Sequence, residues 1–155
     1  MSSQTATSAV TATEQGVWKG GVVAGLAGGA LMGVLLSVLM TPVIQVAIPS
    51  MYGLSGGAMG WIVHMGHSAI LGVVFAGVAT ALPQYTDSTA KTAVVGAGYG
   101  AVLWVVLAVL VMPLWLSAVG SPANPPFPNV NVMSLVAHLV YGVVLGAVYP
   151  AVESS

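Results

Sequence analysis

Three histidines are the residues of this chain whose side chains could do chemistry inside an otherwise apolar sequence. His64 and His67 are separated by three positions, so they share a broad face of one helix. His138 lies in a different apolar segment near the other end of the chain. Polar side chains within a membrane usually face other helices and often mark function. We therefore take these three histidines as the candidate functional residues.

Three interpretations of the histidines are open. In the first, each neutral ring forms a hydrogen bond to a carbonyl, a hydroxyl or an interfacial water, and Ser68 and Tyr141 are nearby partners. In the second, His138 and one histidine of the pair His64 and His67 are axial ligands of haem b. That chemistry needs two neutral imidazoles on facing helices, with small residues that leave room for the porphyrin.

The third interpretation is a site for copper or another metal. Methionine sulfur is a soft ligand that suits Cu(I), and several methionines fall at the same end of the predicted helices as the histidines. Methionine is also a common flexible filler of helix interfaces. The methionine ligands considered with the three histidines are Met40, Met65 and Met112.

Other catalytic chemistry has no support in the sequence. The acidic residues are Glu14, Asp87 and Glu153, and all three fall at the opposite membrane edge from the histidines. A pair of catalytic carboxylates and a Ser-His-Asp triad are therefore not expected. The glycine-rich stretches lie in membrane helices, so they are not phosphate-binding loops. We expect a protein that is not an enzyme.

The composition restricts the solvent in which this chain folds. Charged residues make up 3% of its 155 residues, against about 25% in ordinary soluble domains. Hydrophobic residues make up 57%, and the mean hydropathy is +1.00. These values exclude a soluble globular domain, a disordered chain and a nucleic-acid-binding protein, which needs a basic face. Cysteine is absent, which excludes disulfides and thiolate metal sites.

The uncharged stretches predict four membrane spans. No charged residue occurs between Lys19 and Asp87 or between Lys91 and Glu153, and a span needs about 20 apolar residues. Proline and glycine clusters divide each stretch into two helices. The predicted helices cover residues 17–41, 59–82, 92–116 and 131–151 of a transmembrane domain, 17–151. Residues 1–16 are predicted to be a disordered tail and residues 152–155 a short C-terminal tail. The apolar loop 43–58 suits the membrane interface, and its helical content is open.

The charges predict the orientation. Lys19 and Lys91 begin the first and third helices, and the positive-inside rule places that side in the cytoplasm. All five charged residues fall on this side. We expect a multi-pass protein of the plasma membrane with both termini in the cytoplasm.

The chain also contains a candidate internal repeat of two helical hairpins. A shift of 71 positions aligns the first helix with the third, and pairs Pro42 with Pro113. A shift of 74 aligns the second helix with the fourth, and pairs His64 with His138. A rival shift of 71 for these helices pairs His67 with His138, with fewer identities. The sequence thus favours an all-α four-helix membrane bundle made of two tandem hairpins, related by an axis along the membrane normal.

Glycines recur at four-residue spacing in each predicted helix. Such spacing places small residues on one face, where it lets helices approach closely in lipid. We expect these glycines to form a glycine zipper that packs the bundle, and one face, most plausibly that of the first helix, could also serve a homodimer. The predicted packing positions are Gly21, Gly25, Gly29, Gly33, Gly72, Gly96, Gly100, Gly142 and Gly146.

The segment AHLVYGVVLGAVYP at residues 137–150, together with Gly60, Trp61 and His64, resembles small four-helix membrane proteins of unknown function from haloarchaea and bacteria. The bacterial inner-membrane YagU-like proteins resemble them distantly. The resemblance implies an uncharacterised integral membrane protein and brings no established site. We expect a non-enzymatic accessory, packing or small transport component, which contacts the lipid bilayer and forms a homodimer or joins a larger membrane complex. The alternatives are a haem b cytochrome and a copper or metal handling protein.

Overall fold

The structure, a computed structural model, describes the backbone of residues 2–153 and the side chains of residues 15–153. This part of the chain is helical and contains no strand. Each of its four long helices includes a stretch that is long and apolar enough to cross a membrane. The helices are α1 (Ser2–Leu39), α2 (Gly57–Ala81), α3 (Thr89–Ala118) and α4 (Val132–Glu153).

The apolar spans lie close to the predicted ones. They cover Gln15–Leu39, Gly57–Ala81, Thr89–Ala118 and Val132–Glu153, and each end differs from the predicted position by one to three residues. Of the predicted tails at residues 1–16 and 152–155, the structure describes the backbone of residues 2–16 and 152–153, which belongs to α1 and α4. Side chains before Gln15 and residues 154–155 are not described, so the disorder of these tails stays a prediction.

The four helices pack as a ring that is open along one edge. α1 packs along α2 and α4, and α4 packs along α3, whereas α2 and α3 touch only sparsely. Phe75, Leu145 and Ala24 are fully buried at the centre of the bundle. The gap between α2 and α3 is the feature that positions the histidine site.

α3 changes its helical geometry halfway along its length. An α-helical part, Thr89–Leu103, continues through a π-helical stretch, Trp104–Val111, into a second α-helical part, Met112–Ala118. Pro113 has no N–H group, so it cannot bond the carbonyl of Val109 four residues before it. The backbone N–H of Asn129 donates to that carbonyl over 3.0 Å, and its side chain donates to Ala108 O over 3.4 Å. Asn129 therefore satisfies carbonyls that the irregular helix leaves free.

The segment between α1 and α2 folds over one end of the bundle. It contains a π-helical turn, Val43–Ala47, and a short α-helical turn, Ile48–Ser50, in which Ile44 and Ile48 are buried. The indole of Trp115 on α3 donates to Met51 O over 3.0 Å. This segment, residues 43–56, is called the cap below. It bridges α1, α2 and the end of α3.

An ion pair among the described residues lies where α2 connects to α3, at the other end of the bundle. Lys91 and Asp87 form an ion pair of 2.7 Å, and both side chains are more than half exposed. An exposed pair of this kind contributes little stability, about 0–1 kcal/mol. Ser88 caps the start of α3 by accepting from Lys91 N.

Candidate functional site

A cavity of about 310 Å³ lies between α2 and α3, beneath the cap. Helices α1 and α4 form its back wall. All three histidines line it, together with Ser68, Ser134, Tyr52 and Tyr141, and the remaining lining is apolar or aromatic. Its apolar and aromatic lining comprises Met32, Leu36, Val43, Ile48, Met51, Ile70, Leu71, Leu103, Leu107, Ala108, Val111, Met112 and Trp115.

His64 is buried where α1 and α2 meet. Its Nε2 lies 2.9 Å from the carbonyl oxygen of Gly29 on α1. Because a carbonyl only accepts, Nε2 must carry the proton, and in the neutral ring Nδ1 keeps its lone pair. A Cβ at Gly29 would overlap the side chain of Ser68, so glycine is needed there for this approach.

His138 uses the opposite ring nitrogen. Its Nδ1 donates to the carbonyl of Ser134, one turn earlier on α4, over 2.7 Å. The lone pair of the neutral ring is therefore on Nε2. Two histidines of one cavity thus have opposite tautomers, each fixed by a backbone carbonyl.

His64 Nδ1 and His138 Nε2 both belong to rings that line the cavity. Neither has a hydrogen-bond partner in the part of the chain whose side chains are described. The fully enclosed nitrogen and oxygen atoms without a partner in that part are Trp104 Nε1 and the Tyr149 hydroxyl, so the free histidine nitrogens are not enclosed. Each can meet a molecule that enters the space its ring lines.

His67 belongs to an aromatic cluster at the mouth of the cavity. Its Nε2 lies 2.6 Å from the hydroxyl of Tyr52 in the cap. The ring of Tyr52 is 5.6 Å from that of His67 and 5.6 Å from that of Trp115. Tyr52 and Trp115 are both exposed. This cluster, Tyr52, His67 and Trp115, is called the mouth below.

Tyr99 on α3 reaches across to α2 at Leu71, one of the residues that line the cavity. Its hydroxyl donates to the carbonyl of Leu71 over 2.8 Å, and its ring lies 5.4 Å from that of Phe75. These contacts join α2 and α3 below the cavity, whereas above them the two helices stay apart. Tyr99 and Tyr52 are not among the predicted site residues, because single aromatic residues in apolar helices carry no distinguishing pattern.

All three predicted histidines line the same cavity. Their rings form hydrogen bonds with groups other than the hydroxyls of Ser68 and Tyr141. The hydroxyl of Ser68 donates to the carbonyl of His64, and that of Tyr141 donates to the carbonyl of Ser68, each over 2.8 Å. The expectation that these hydroxyls bond the rings was therefore wrong. A backbone carbonyl 35 residues away satisfies His64, a partner that no local pattern predicts.

The predicted methionine ligands are not brought together. Met112 lines the cavity, whereas Met40 packs against the bundle core outside it and Met65 does not line it. Met32 and Met51, which were not among the three, do line it.

The predicted glycine positions all lie at close approaches. At each of the nine, an added Cβ would come within 3.0 Å of an atom on another helix. Gly25 faces Ser68 and Gly72 across the α1–α2 contact, and Gly96 faces Gly142 and Gly146 across the α3–α4 contact. Gly29 and Gly33 differ, since they face the side chains of Ser68 and Trp61 instead of a helix backbone. Gly28, which the sequence analysis omitted, faces Tyr141 where α1 meets α4.

Comparison with known proteins shows the family to which the chain belongs. A model of a family of unknown function, DUF6789, matches residues 16–155. The chain belongs to the DUF6789 family. Apart from Gln15, that match includes all four apolar spans of this DUF6789 chain, and it includes each residue that lines the cavity. No curated protein and no solved structure matches the chain.

Haem b and copper are the cofactors of the two alternative interpretations of the histidines. Among the described residues of this DUF6789 chain, no group of three or more His, Cys, Asp or Glu side chains is arranged to hold a metal ion. An apolar cavity of about 150 Å³ holds one benzene ring, so a four-pyrrole haem needs roughly 600 Å³. That is about twice the 310 Å³ present. The described residues therefore give no support to the metal alternative, and the cavity is smaller than an enclosed haem needs.

Proposed function

We propose that this protein is a non-enzymatic multi-pass protein of the plasma membrane that holds a small apolar molecule between α2 and α3. It would act as an accessory or small transport component. The observation that carries this proposal is the 310 Å³ cavity, whose walls are mostly apolar and whose volume falls within the usual range for ligand pockets, about 300–1,000 Å³.

The edge between α2 and α3 offers a route into the cavity from the lipid. Ile70 on α2 and Val111 on α3 both line the cavity, and both side chains are exposed on the outer surface of the bundle. A molecule dissolved in the bilayer can therefore reach the cavity without crossing the aqueous phase.

The contacts within the two hairpins support the proposed tandem repeat. Under the shifts of 71 and 74 positions, Gly25 corresponds to Gly96, Ser68 to Gly142, and Gly72 to Gly146. Gly25 faces Ser68 and Gly72 in the first hairpin, just as Gly96 faces their counterparts Gly142 and Gly146 in the second. Equivalent residues thus make equivalent helix contacts, as expected of glycine faces that pack each hairpin.

The repeat also accounts for the cavity. Twofold pseudosymmetry makes the packed α1–α4 edge equivalent to the open α2–α3 edge. On the packed edge, Gly28 lets α1 approach the backbone of Tyr141. The equivalent position on the open edge is Tyr99, which reaches Leu71 O across the gap. The side chain of Tyr99, in place of the hydrogen atom of a glycine, holds α2 and α3 apart.

Orientation and assembly extend the proposal. The ion pair Lys91–Asp87 lies at the end of the bundle away from the cavity, together with Glu153. By the positive-inside rule, both termini then lie in the cytoplasm and the cavity lies in the outer half of the membrane. Assembly into a homodimer or a larger complex, and a distant relationship to YagU-like proteins, stay predictions.

Saturable binding of bromobenzene tests the proposed function. Bromine quenches indole fluorescence at short range, and Trp115 lines the cavity. We expect a saturable loss of emission from the detergent-purified protein, on top of the linear loss caused by bromobenzene in the micelle. The saturable component should disappear in Trp115→Phe.

Two matched variants separate cavity binding from surface effects. Ala108→Phe adds a phenyl ring to the cavity wall and should abolish saturable quenching, whereas Val94→Phe adds the same ring on an exposed face outside the cavity and should leave it unchanged. Quenching that stays linear in the folded wild-type protein would refute the proposal.

A further inference from the structure

We propose that the ligand of this cavity is an uncharged molecule of the phenol or quinol class, bound through its hydroxyl proton. The inference rests on the proposed function and adds the chemical class of the ligand. Its basis is that the cavity presents two hydrogen-bond acceptors whose roles are fixed by the protein backbone.

The acceptors are Nδ1 of His64 and Nε2 of His138. The other nitrogen of each ring donates to a backbone carbonyl, of Gly29 and of Ser134 respectively. A carbonyl cannot donate, so neither neutral ring can change tautomer without losing this bond. Both free nitrogens can therefore accept a hydrogen bond from a molecule that occupies the cavity.

The donors that line the cavity are mostly engaged within the protein. The hydroxyls of Ser68 and Tyr141 donate to backbone carbonyls, and the indole of Trp115 donates to Met51 O. The Ser134 hydroxyl can rotate to donate or to accept. The Tyr52 hydroxyl and the neutral His67 ring carry one proton each, and the hydrogen bond between them uses one of the two. The other proton stays free to donate at the mouth. The deep end of the cavity thus accepts, and the mouth can donate.

The ligand should be neutral. No charged residue lines the cavity, so an ion there would lack a counter-charge in a region of low dielectric. A cation such as Cu(I) would also be attracted by the two lone pairs, but it would leave its charge uncompensated. A hydroxyl group satisfies the same lone pairs without that cost.

The size and the mouth favour a ring. An apolar cavity of about 150 Å³ holds benzene, so 310 Å³ accommodates one aromatic ring with a substituent. The tilted rings of Tyr52, His67 and Trp115 provide an aromatic rim at distances typical of ring–ring contacts. A phenol or quinol combines this ring with a hydroxyl donor for the free histidine nitrogens.

Comparison of para-butylphenol with its methyl ether tests the hydroxyl directly. The two probes share the ring, the alkyl chain and an oxygen acceptor, and only the phenol donates. Each is titrated against bound bromobenzene, with recovery of Trp115 emission as the readout. One hydrogen bond of ordinary strength predicts that the phenol displaces bromobenzene at about a tenfold lower concentration than the ether.

Histidine variants locate the effect. His64→Phe and His138→Phe keep a ring but remove an acceptor. We expect the double variant to lose the preference for the phenol, while the affinity for the ether stays within about twofold. Tyr85→Phe is the control, because Tyr85 is exposed outside the cavity and its loss of a hydroxyl should keep the preference. Equal displacement by both probes, or a preference that survives the double variant, would overturn the proposal.

A measurement on the wild-type protein covers the case in which the double variant does not fold. In protein labelled with ¹⁵N-histidine, para-butylphenol should shift the resonance of at least one unprotonated ring nitrogen, and the ether should not. Saturable bromobenzene binding without this shift would refute the phenol class and leave the proposed function standing. Absence of saturable bromobenzene binding would refute both.

Discussion

The two buried histidines illustrate how far single residues determine this site. His64 donates from Nε2 to Gly29 O, and His138 donates from Nδ1 to Ser134 O. We therefore predict that the neutral rings have opposite tautomers. A ¹⁵N spectrum of histidine-labelled protein in micelles should show one ring protonated at Nε2 and another at Nδ1, with assignments from His64→Phe and His138→Phe. Identical tautomers for both would contradict the structure.

The sequence predicts which polar residues face the interior, but not what they bond. Polar side chains within apolar helices turn inward because lipid cannot satisfy them, but the sequence leaves open whether the three histidines meet. Their partners depend on helix rotation and crossing, which bring Gly29 beside His64 from 35 positions away. Local spacing contains no information on that approach.

At the scale of helix pairs, the glycine contacts differ in how much space they leave. A Cβ at Gly142 on α4 would overlap the carbonyl of Gly96 on α3. We predict that Gly142→Ala lowers the free energy of unfolding by about 1–3 kcal/mol, the usual cost of overpacking. Equilibrium unfolding in mixed detergent micelles measures the change.

Gly66→Ala is the matched control for Gly142→Ala. Nothing lies within 4 Å of an added Cβ at Gly66, although it also lies inside a membrane helix. Alanine should therefore be neutral or stabilising by up to about 1 kcal/mol, through its higher helix propensity. Equal destabilisation by the two substitutions would show that the close approach of α3 and α4 is not what glycine provides.

The irregular part of α3 marks the limit of element prediction from sequence. Uncharged length and the four-residue glycine spacing predicted four helices, and the described chain has four of them. Neither signal predicted the π-helical stretch, Trp104–Val111. It depends on Pro113 and on Asn129, which satisfies the freed carbonyls from a loop outside the helix. Such a contact between distant segments has no local signature.

The gap between α2 and α3 leads to a prediction for Tyr99. Replacement of Tyr99 by glycine, the residue at the equivalent position 28, should let the two helices approach the usual interaxial distance of about 8–10 Å. The chain has no cysteine, so one spin label each can be placed at Val74 and Val102, which are exposed on α2 and α3.

Distances between these labels measure the separation of the helices. We expect a shorter mean distance in Tyr99→Gly than in the parent pair, together with loss of saturable bromobenzene quenching. Tyr85→Gly is the control, since Tyr85 is exposed in the α2–α3 connection and should not alter either readout. An unchanged distance in Tyr99→Gly would show that other residues hold the edge open.

For the whole molecule, the distribution of charge predicts how the bundle sits in the membrane. Lys91, Asp87 and Glu153 lie at one end, whereas the connection after α3 carries no charged residue. Lysine near a span is retained in the cytoplasm. We therefore predict that the α2–α3 connection is cytoplasmic and that the cap, the mouth and the cavity face the outside.

Single cysteines in the cysteine-free chain test this orientation. Phe127→Cys lies in the exposed connection between α3 and α4, and Thr89→Cys lies at the start of α3 at the opposite end. A membrane-impermeant maleimide applied to intact cells should label Phe127→Cys, and Thr89→Cys only after the cells are opened. Labelling of both variants after cell lysis is the control that shows that both cysteines react with the maleimide. The reverse pattern would turn the cavity toward the cytoplasmic half, so that its ligand would have to reach it from the inner leaflet.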